Sequence, residues 1–230
     1  MKPSISFFCP AYFDEKNLPR LIPEVVAVLR EIADRYEIII IDDASPDRTG
    51  EAAEELKKLY PNITVIHHES NWGYGATLSH GFRTAIKYEW VFTTDGDRQY
   101  DVQELKTFLP YLQDYDAVIG FRTIRRLSRF RKFQSFVYNQ LLKSLLDLQF
   151  RDINCSFKII KREFLNKFDL RAASAFHDGE LLFKLKENKA RIKELPVTHY
   201  PRLQGKASGA TPRVIWQTIK EIARFSTSRK

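Results

Sequence analysis

The chain has 230 residues, 43% hydrophobic and 13% aromatic, which is enough to bury a core as one large or two small domains and excludes disorder outside the basic tail. With no apolar run of about 18 residues and no charged-then-apolar leader, neither a membrane span nor a secretory signal is expected; Cys9 and Cys155, far apart and without metal-like spacing, suit core positions in a reducing compartment. The net charge of +8 is uneven: residues 1–115 hold 12 Lys and Arg against 19 Asp and Glu, whereas residues 116–230 hold 25 against 10, which points the second half toward an anionic partner or leaves it a solvated basic face.

The elements alternate along the chain. Residues 5–9 form an apolar strand running into Pro10-Ala11-Tyr12, and residues 18–35 carry Leu21, Val25, Val28, Leu29 and Ile32 at helical spacing. A second buried strand, 37–41, ends at Asp42-Asp43 and leads into a Glu/Ala/Lys-rich helix over 49–59. Residues 63–67 read as a strand, 75–87 as a helix and 90–94 as a fourth strand. This order predicts an α/β fold with a mostly parallel, doubly wound sheet and ligands at the carboxyl ends of its strands. Beyond Asp116 come a strand at 117–120, an Arg-rich stretch (Arg122, Arg125, Arg126, Arg129, Arg131, Lys132) entering a Phe- and Leu-rich helix, and a strand pair at 155–160 and 191–196 bracketing a helix at 178–187. Residues 212–225 read as a basic amphipathic helix with Ile215, Ile219 and Ile222 on one face. The expected division is a domain over 1–210, with halves 1–115 and 116–210, followed by a C-terminal segment, 211–230.

Three strand-end motifs carry chemistry. In Asp42-Asp43-Ala44-Ser45-Pro46-Asp47, a carboxylate closing a strand can take an N–H of uracil or guanine or a ribose hydroxyl, while Asp47 serves as a cap for the next helix. Asn71-Trp72-Gly73-Tyr74-Gly75 is a glycine-containing turn opening a helix; it lacks the Lys-Ser/Thr of a P-loop and the third Gly of a dinucleotide fingerprint, so it is either a ligand loop or a structural turn. Asp95-Gly96-Asp97-Arg98-Gln99 follows a buried strand. Its carboxylates suit a hard divalent cation bridged to a diphosphate.

Together with Glu15 and Asn17, these ordered motifs resemble the family 2 glycosyltransferases of GT-A fold, over about residues 4 to 208, and most of all the dolichol-phosphate mannose synthase and polyprenyl-phosphate glycosyltransferase branch. The resemblance implies a donor site in which Pro10, Tyr12 and Glu15 border the base and ribose, Asp42 contacts the base, Gly75 opens the donor loop, and Asp95, Asp97 and Gln99 hold Mg²⁺ or Mn²⁺ on the diphosphate of a UDP- or GDP-sugar. It places Arg122, Arg131 and Ser135 on the acceptor phosphate. Lys158, in Ser156-Phe157-Lys158 where the family has Gly-Phe-Arg, and Lys206 and Ser208 in the loop after Arg202 join them; Arg202 itself faces the donor. The Gly-Phe-Arg change keeps a cation but loses the planar fork of arginine.

Asp152 is the candidate base or substrate orienter and Asp178, in Asp178-Gly179-Glu180, its alternative; a strand-end turn and a helix cap are the plain structural readings of the two. The activity expected is inverting transfer of a sugar to a polyprenyl phosphate by a cytoplasmic protein lying on an anionic membrane surface, with no nucleic acid involved. Transfer to a saccharide hydroxyl and non-catalytic binding of a nucleotide sugar are the alternatives.

Overall fold

The computed structural model describes residues 2–123, 138, 140, 142–202 and 212–227. Seven strands form one sheet: β1 Ile5–Ala11, β2 Tyr36–Asp42, β3 Ile63–His67, β4 Trp90–Thr93, β5 Ala117–Arg122, β6 Lys158–Lys161 and β7 Ile192–Val197. Their order is β3-β2-β1-β4-β6-β5-β7. Every pairing is parallel except those of β6, which runs antiparallel to β4 and β5.

The strands are near-continuous apolar runs because helices cover both faces. Successive residues of β1 and β2 feed opposite cores, Phe7, Cys9, Ile38 and Ile40 on one side, Phe8, Ile39 and Ile41 on the other. Helix α1 (Leu18–Ile32) fills the first side with Leu21, Val25 and Leu29; α3 (Tyr74–Thr84) and α5 (His177–Glu187) fill the second with Leu78, Phe82, Leu181 and Leu185. Helix α2 (Thr49–Leu59) follows β2, and the short α4 (Arg162–Leu165) follows β6. Helix α6, Pro212–Thr227, docks through Thr218, Ile222 and Phe225, the last ring meeting Phe176 and Phe183 edge-on at 5.3 Å.

Several expectations change. The strands expected at 155–160 and 191–196 do not pair with each other, because β5 lies between them. Ile219 is 47% exposed, so it does not share the buried face of Ile222; the docked stripe runs through 218, 221, 222 and 225. The 3-10 turns Val102–Thr107 and Leu109–Gln113, and α4, carried no sequence signal, being too short for a period to show. Arg125, Arg126, Arg129, Arg131, Lys132, Ser135, Lys206 and Ser208 lie outside the described residues.

Both thiols sit in the core, as expected. Burial pushes Cys9 far above the ordinary thiol range and Cys155 to about 11.

His177, the first residue of α5, stacks on Phe82 of α3 with ring centroids 5.9 Å apart, and neither ring nitrogen has a hydrogen-bond partner. Burial pulls its pKa down to about 3, so the folded protein holds it neutral. The unfolded chain binds a proton there below about pH 6.5, so this residue's share of stability is complete above that pH and declines by about 1.4 kcal/mol per unit as the pH falls toward 3. Urea unfolding of wild type and His177→Phe between pH 7 and pH 4 should show a shallower loss in the variant.

Candidate active site

The carboxyl ends of β1, β2 and β4 meet at one edge of the sheet. After β4 the chain turns sharply through Asp95-Gly96-Asp97-Arg98, with Arg98 at φ 59° and ion-paired to Glu24 of α1. A side chain at Gly96 would place its Cβ 2.7 Å from the Pro10 carbonyl oxygen, so only glycine lets this turn lie against the end of β1. Asp97 Oδ1 accepts the Gln99 amide at 3.1 Å.

Negative charge is concentrated here. Asp97 is 6% exposed, and its pKa is pushed up to about 7, first by burial and then by Asp95, against the pull of Arg202. Burial likewise raises Asp95, with Asp178 adding to it. Asp14 lies behind Gly96, buried, accepting from the Tyr12 amide at 3.1 Å and the Asn17 side chain at 2.8 Å. Arg202 forms an ion pair with Asp97 Oδ2. The segment after β7 delivers it: Tyr200 N donates to Gln99 O at 2.8 Å, Gln99 Nε2 donates to Tyr200 O at 2.9 Å, and Tyr100 bridges His199. Tyr74, at the start of α3, donates its hydroxyl to Asp95 Oδ1 at 3.1 Å.

The residues expected around the base and ribose share the neighbouring loops. Phe13, at φ 60°, donates its amide to Ser45 Oγ, Asp14 donates its amide to Thr49 Oγ1, and Glu15 accepts the Arg48 amide, so the loop carrying Pro10, Tyr12 and Glu15 is stitched to the β2–α2 loop. Asp42 Oδ1 accepts the Ser45 amide at 3.0 Å, and Oδ2 lies 3.0 Å from His67 Nδ1. Asp42 and His67 border an open cleft of about 550 Å³ along α2. The two aspartates at the end of β2 divide their work. Asp43 accepts the Trp72 and Gly73 amides at 2.8 and 2.9 Å and meets His68 Nδ1 at 2.7 Å, while His68 stacks on Trp72. Asp43 is therefore the anchor of the Asn71–Gly75 loop. Asp47 accepts from Thr49 N and Ser45 Oγ, one residue before Arg48, the N-cap position of α2, and so holds the turn and is not the cap expected of it.

The second half is bound up in ion pairs. Arg122, at the end of β5, grips Asp152 in two places, Nε to Oδ2 at 2.6 Å and Nη2 to Oδ1 at 2.8 Å, and its amide also donates to Oδ2. Lys158 of β6 is 1% exposed, its Nζ 2.8 Å from Asp178 Oδ1 and bonded to the Cys155 carbonyl. There it is a buried counter-ion to Asp178, not the exposed phosphate contact expected of it. Glu180 accepts the Arg171 and Ala172 amides and pairs with Lys184.

Among the described residues no three His, Cys, Asp or Glu side chains are grouped to hold a metal ion by themselves. Two neighbouring carboxylates, both raised first by burial and further by a nearby acid, Asp178 for Asp95 and Asp95 for Asp97, nevertheless suit a hard divalent ion that takes its remaining oxygens from a diphosphate and water. Gln99 donates its amide nitrogen to Tyr200 O.

The model of glycosyl transferase family 2 matches residues 6–168, most of the chain. The chain belongs to this family. It is 30% identical over 168 residues to an undecaprenyl-phosphate 4-deoxy-4-formamido-L-arabinose transferase of Pectobacterium carotovorum, covering 71% of this chain and 50% of that one, so it spans half the length of that relative. It is 29% identical over 218 residues to the polyprenol monophosphomannose synthase of Mycolicibacterium smegmatis, covering 89% and 81%. The fold matches glucosyl-3-phosphoglycerate synthase from Mycobacterium tuberculosis, solved with Mn²⁺, UDP and phosphoglyceric acid, at a TM-score of 0.71 and 17% identity over 99% of this chain and 78% of that one. The architecture is thus GT-A and the protein a glycosyltransferase.

Four side chains that shape the site of this family 2 member are not singled out by its sequence: Asp14, Tyr74, His67 and, on α6, Glu221. Asp14 adjoins Glu15 in the same loop, and its burial alone sets it apart. The Arg122–Asp152 pair is sealed on the Asp side, with Asp152 2% exposed. Asp152→Ala leaves the guanidinium without its partner and should lower stability by about 3–5 kcal/mol in chemical denaturation; a loss under 1 kcal/mol would show that the pair is not formed.

Proposed function

We propose that this glycosyltransferase moves a sugar from a nucleoside-diphosphate sugar to a polyprenyl phosphate at a membrane surface, with inversion at C1. An acceptor phosphate oxygen forms the new bond to C1 as the bond from C1 to the diphosphate oxygen breaks, and the nucleoside diphosphate leaves with that electron pair. Asp95 and Asp97 hold Mg²⁺ or Mn²⁺, which supplies Lewis-acid stabilisation of charge on the leaving diphosphate. Asp42 takes the base edge, with His67 on its second oxygen, and Arg202, paired with Asp97 at the acidic turn, takes the diphosphate in this reading.

One observation carries the choice of acceptor. Both carboxylates considered as bases are held by cations, Asp152 by Arg122 and Asp178 by Lys158. A saccharide hydroxyl needs a base to take its proton. A phosphate is already anionic near neutral pH, and an active site whose carboxylates are neutralised suits it. In this reading Asp152 and Asp178 orient their partners, and Arg122, Arg131, Ser135, Lys206 and Ser208 gather the phosphate. The polyprenyl-phosphate names of the relatives agree with this acceptor.

The membrane reading rests on α6. Its outer face exposes Trp216 at 60% and Ile219 at 47%, with Lys220 5.2 Å over the indole and Arg224 exposed beside them. Indole and basic side chains favour an anionic interface, about 1 kcal/mol per cation. Among the described residues no helix is long and apolar enough to cross a membrane.

Two measurements test the reading. In a melting-temperature panel of UDP- and GDP-sugars with and without Mn²⁺, one nucleotide should stabilise in a metal-dependent way, and Asp97→Ala should lose the metal-dependent part; a variant that keeps it removes Asp97 from the site. In flotation assays the protein should bind anionic vesicles at low salt and release them as salt rises. Absence of binding would remove the membrane surface from the proposal.

A further inference from the structure

The loop that opens α3 is held on three sides. Asp43 takes the Trp72 and Gly73 amides, Thr77 Oγ1 donates to Gly73 O at 2.9 Å, and the Gly75 amide donates to Ala173 O at 3.1 Å. A Cβ on Gly75 would lie 2.6–2.7 Å from the backbone of Ala172, Ala173 and Ser174, so the start of α3 rests directly on that segment. The segment is fixed in turn from below and from outside. Glu180 of α5 takes the Arg171 and Ala172 amides, and Glu221 of α6 takes the Ala173 and Ser174 amides at 3.3 and 3.1 Å and the Ser174 hydroxyl at 2.6 Å.

Between Gly73 and Gly75 stands Tyr74, with its hydroxyl on Asp95 Oδ1. We propose that Tyr74 is a positioning residue for the metal-binding carboxylate of Asp95, and that Glu221, on the C-terminal helix, sets Tyr74 through the 172–174 segment and Gly75. A carboxylate turns freely about its side-chain bonds. A phenol donor on one oxygen restrains the plane of the carboxylate, the work that outer-shell partners do at metal sites. The relay to α6 has no slack, because each link is a hydrogen bond to backbone or a backbone contact that admits no side chain. This inference rests on the proposed metal role of Asp95 and Asp97.

The test is Mn²⁺ affinity of the full chain by isothermal titration, in the presence of UDP or GDP, whichever raises the melting temperature, for wild type, Tyr74→Phe, Glu221→Ala, the double variant and Asp97→Ala. Glu221→Gln, which keeps the side-chain length, replaces Glu221→Ala if the latter does not fold. Tyr74→Phe should weaken Mn²⁺ binding about 10- to 100-fold at an unchanged melting temperature in the absence of metal. Glu221→Ala should weaken it by a smaller factor, and the double variant should bind no more weakly than Tyr74→Phe alone, because both changes cut one chain of contacts. Wild-type affinity in Tyr74→Phe, with binding lost in Asp97→Ala, overturns this inference and leaves the metal reading standing. Full affinity in Asp97→Ala overturns the metal reading itself. A Glu221→Ala effect that adds in full to that of Tyr74→Phe overturns the part assigned to α6.

Discussion

Two carboxylates one residue apart, in a turn sealed against the end of a neighbouring strand, repel each other with little water to soften the force. Much of the carboxyl edge of this sheet answers that repulsion. Arg202 arrives from beyond β7 to Asp97, Tyr74 from α3 to Asp95, and Lys158 from β6 to Asp178, whose charge also bears on Asp95. Arg202 and Lys158 come from the second half, so the acidic turn adds a side-chain junction to the β4–β6 pairing that joins the two halves. The Tyr200–Gln99 hydrogen bonds and the Tyr100–His199 bridge exist around that junction.

The donor half could be read from the sequence because its chemistry sits where its strands stop. An apolar run ending in Asp-Gly-Asp or Asp-Asp announces both the strand and the charge, and the helix at 49–59 and the strand at 63–67 fall where their periodicity puts them. The second half could not be read in the same way. Arg122 finds Asp152 30 residues away and Lys158 finds Asp178 20 residues away, and both pairings depend on β6 entering the sheet antiparallel between β4 and β5. Nothing in a hydrophobic pattern states which strand lies next to which. Lys158 shows the cost: a basic residue in a motif that elsewhere carries arginine suggested a phosphate contact, and its burial makes it a counter-ion instead.

Helix α6 shows the same division in one element. Its amphipathic period was visible, but which stripe docks was not, because Glu221, polar by composition, belongs to the docked side through its bonds to the 173–174 backbone, while Trp216 and Ile219, apolar by composition, face outward. Polar groups that satisfy buried backbone amides count as interior residues whatever their hydropathy.

Cys9 and Cys155, the only two cysteines of the chain, lie fully buried with burial holding both thiols in their unreactive form. Since the thiolate is the species that alkylating reagents attack, neither native thiol is presented to a maleimide in the folded protein. A single cysteine introduced at an exposed site such as Trp216 or Ile219 on α6 would then carry a fluorophore or spin label alone, with neither native sulfur removed, and would report on the surroundings of that helix in the working enzyme.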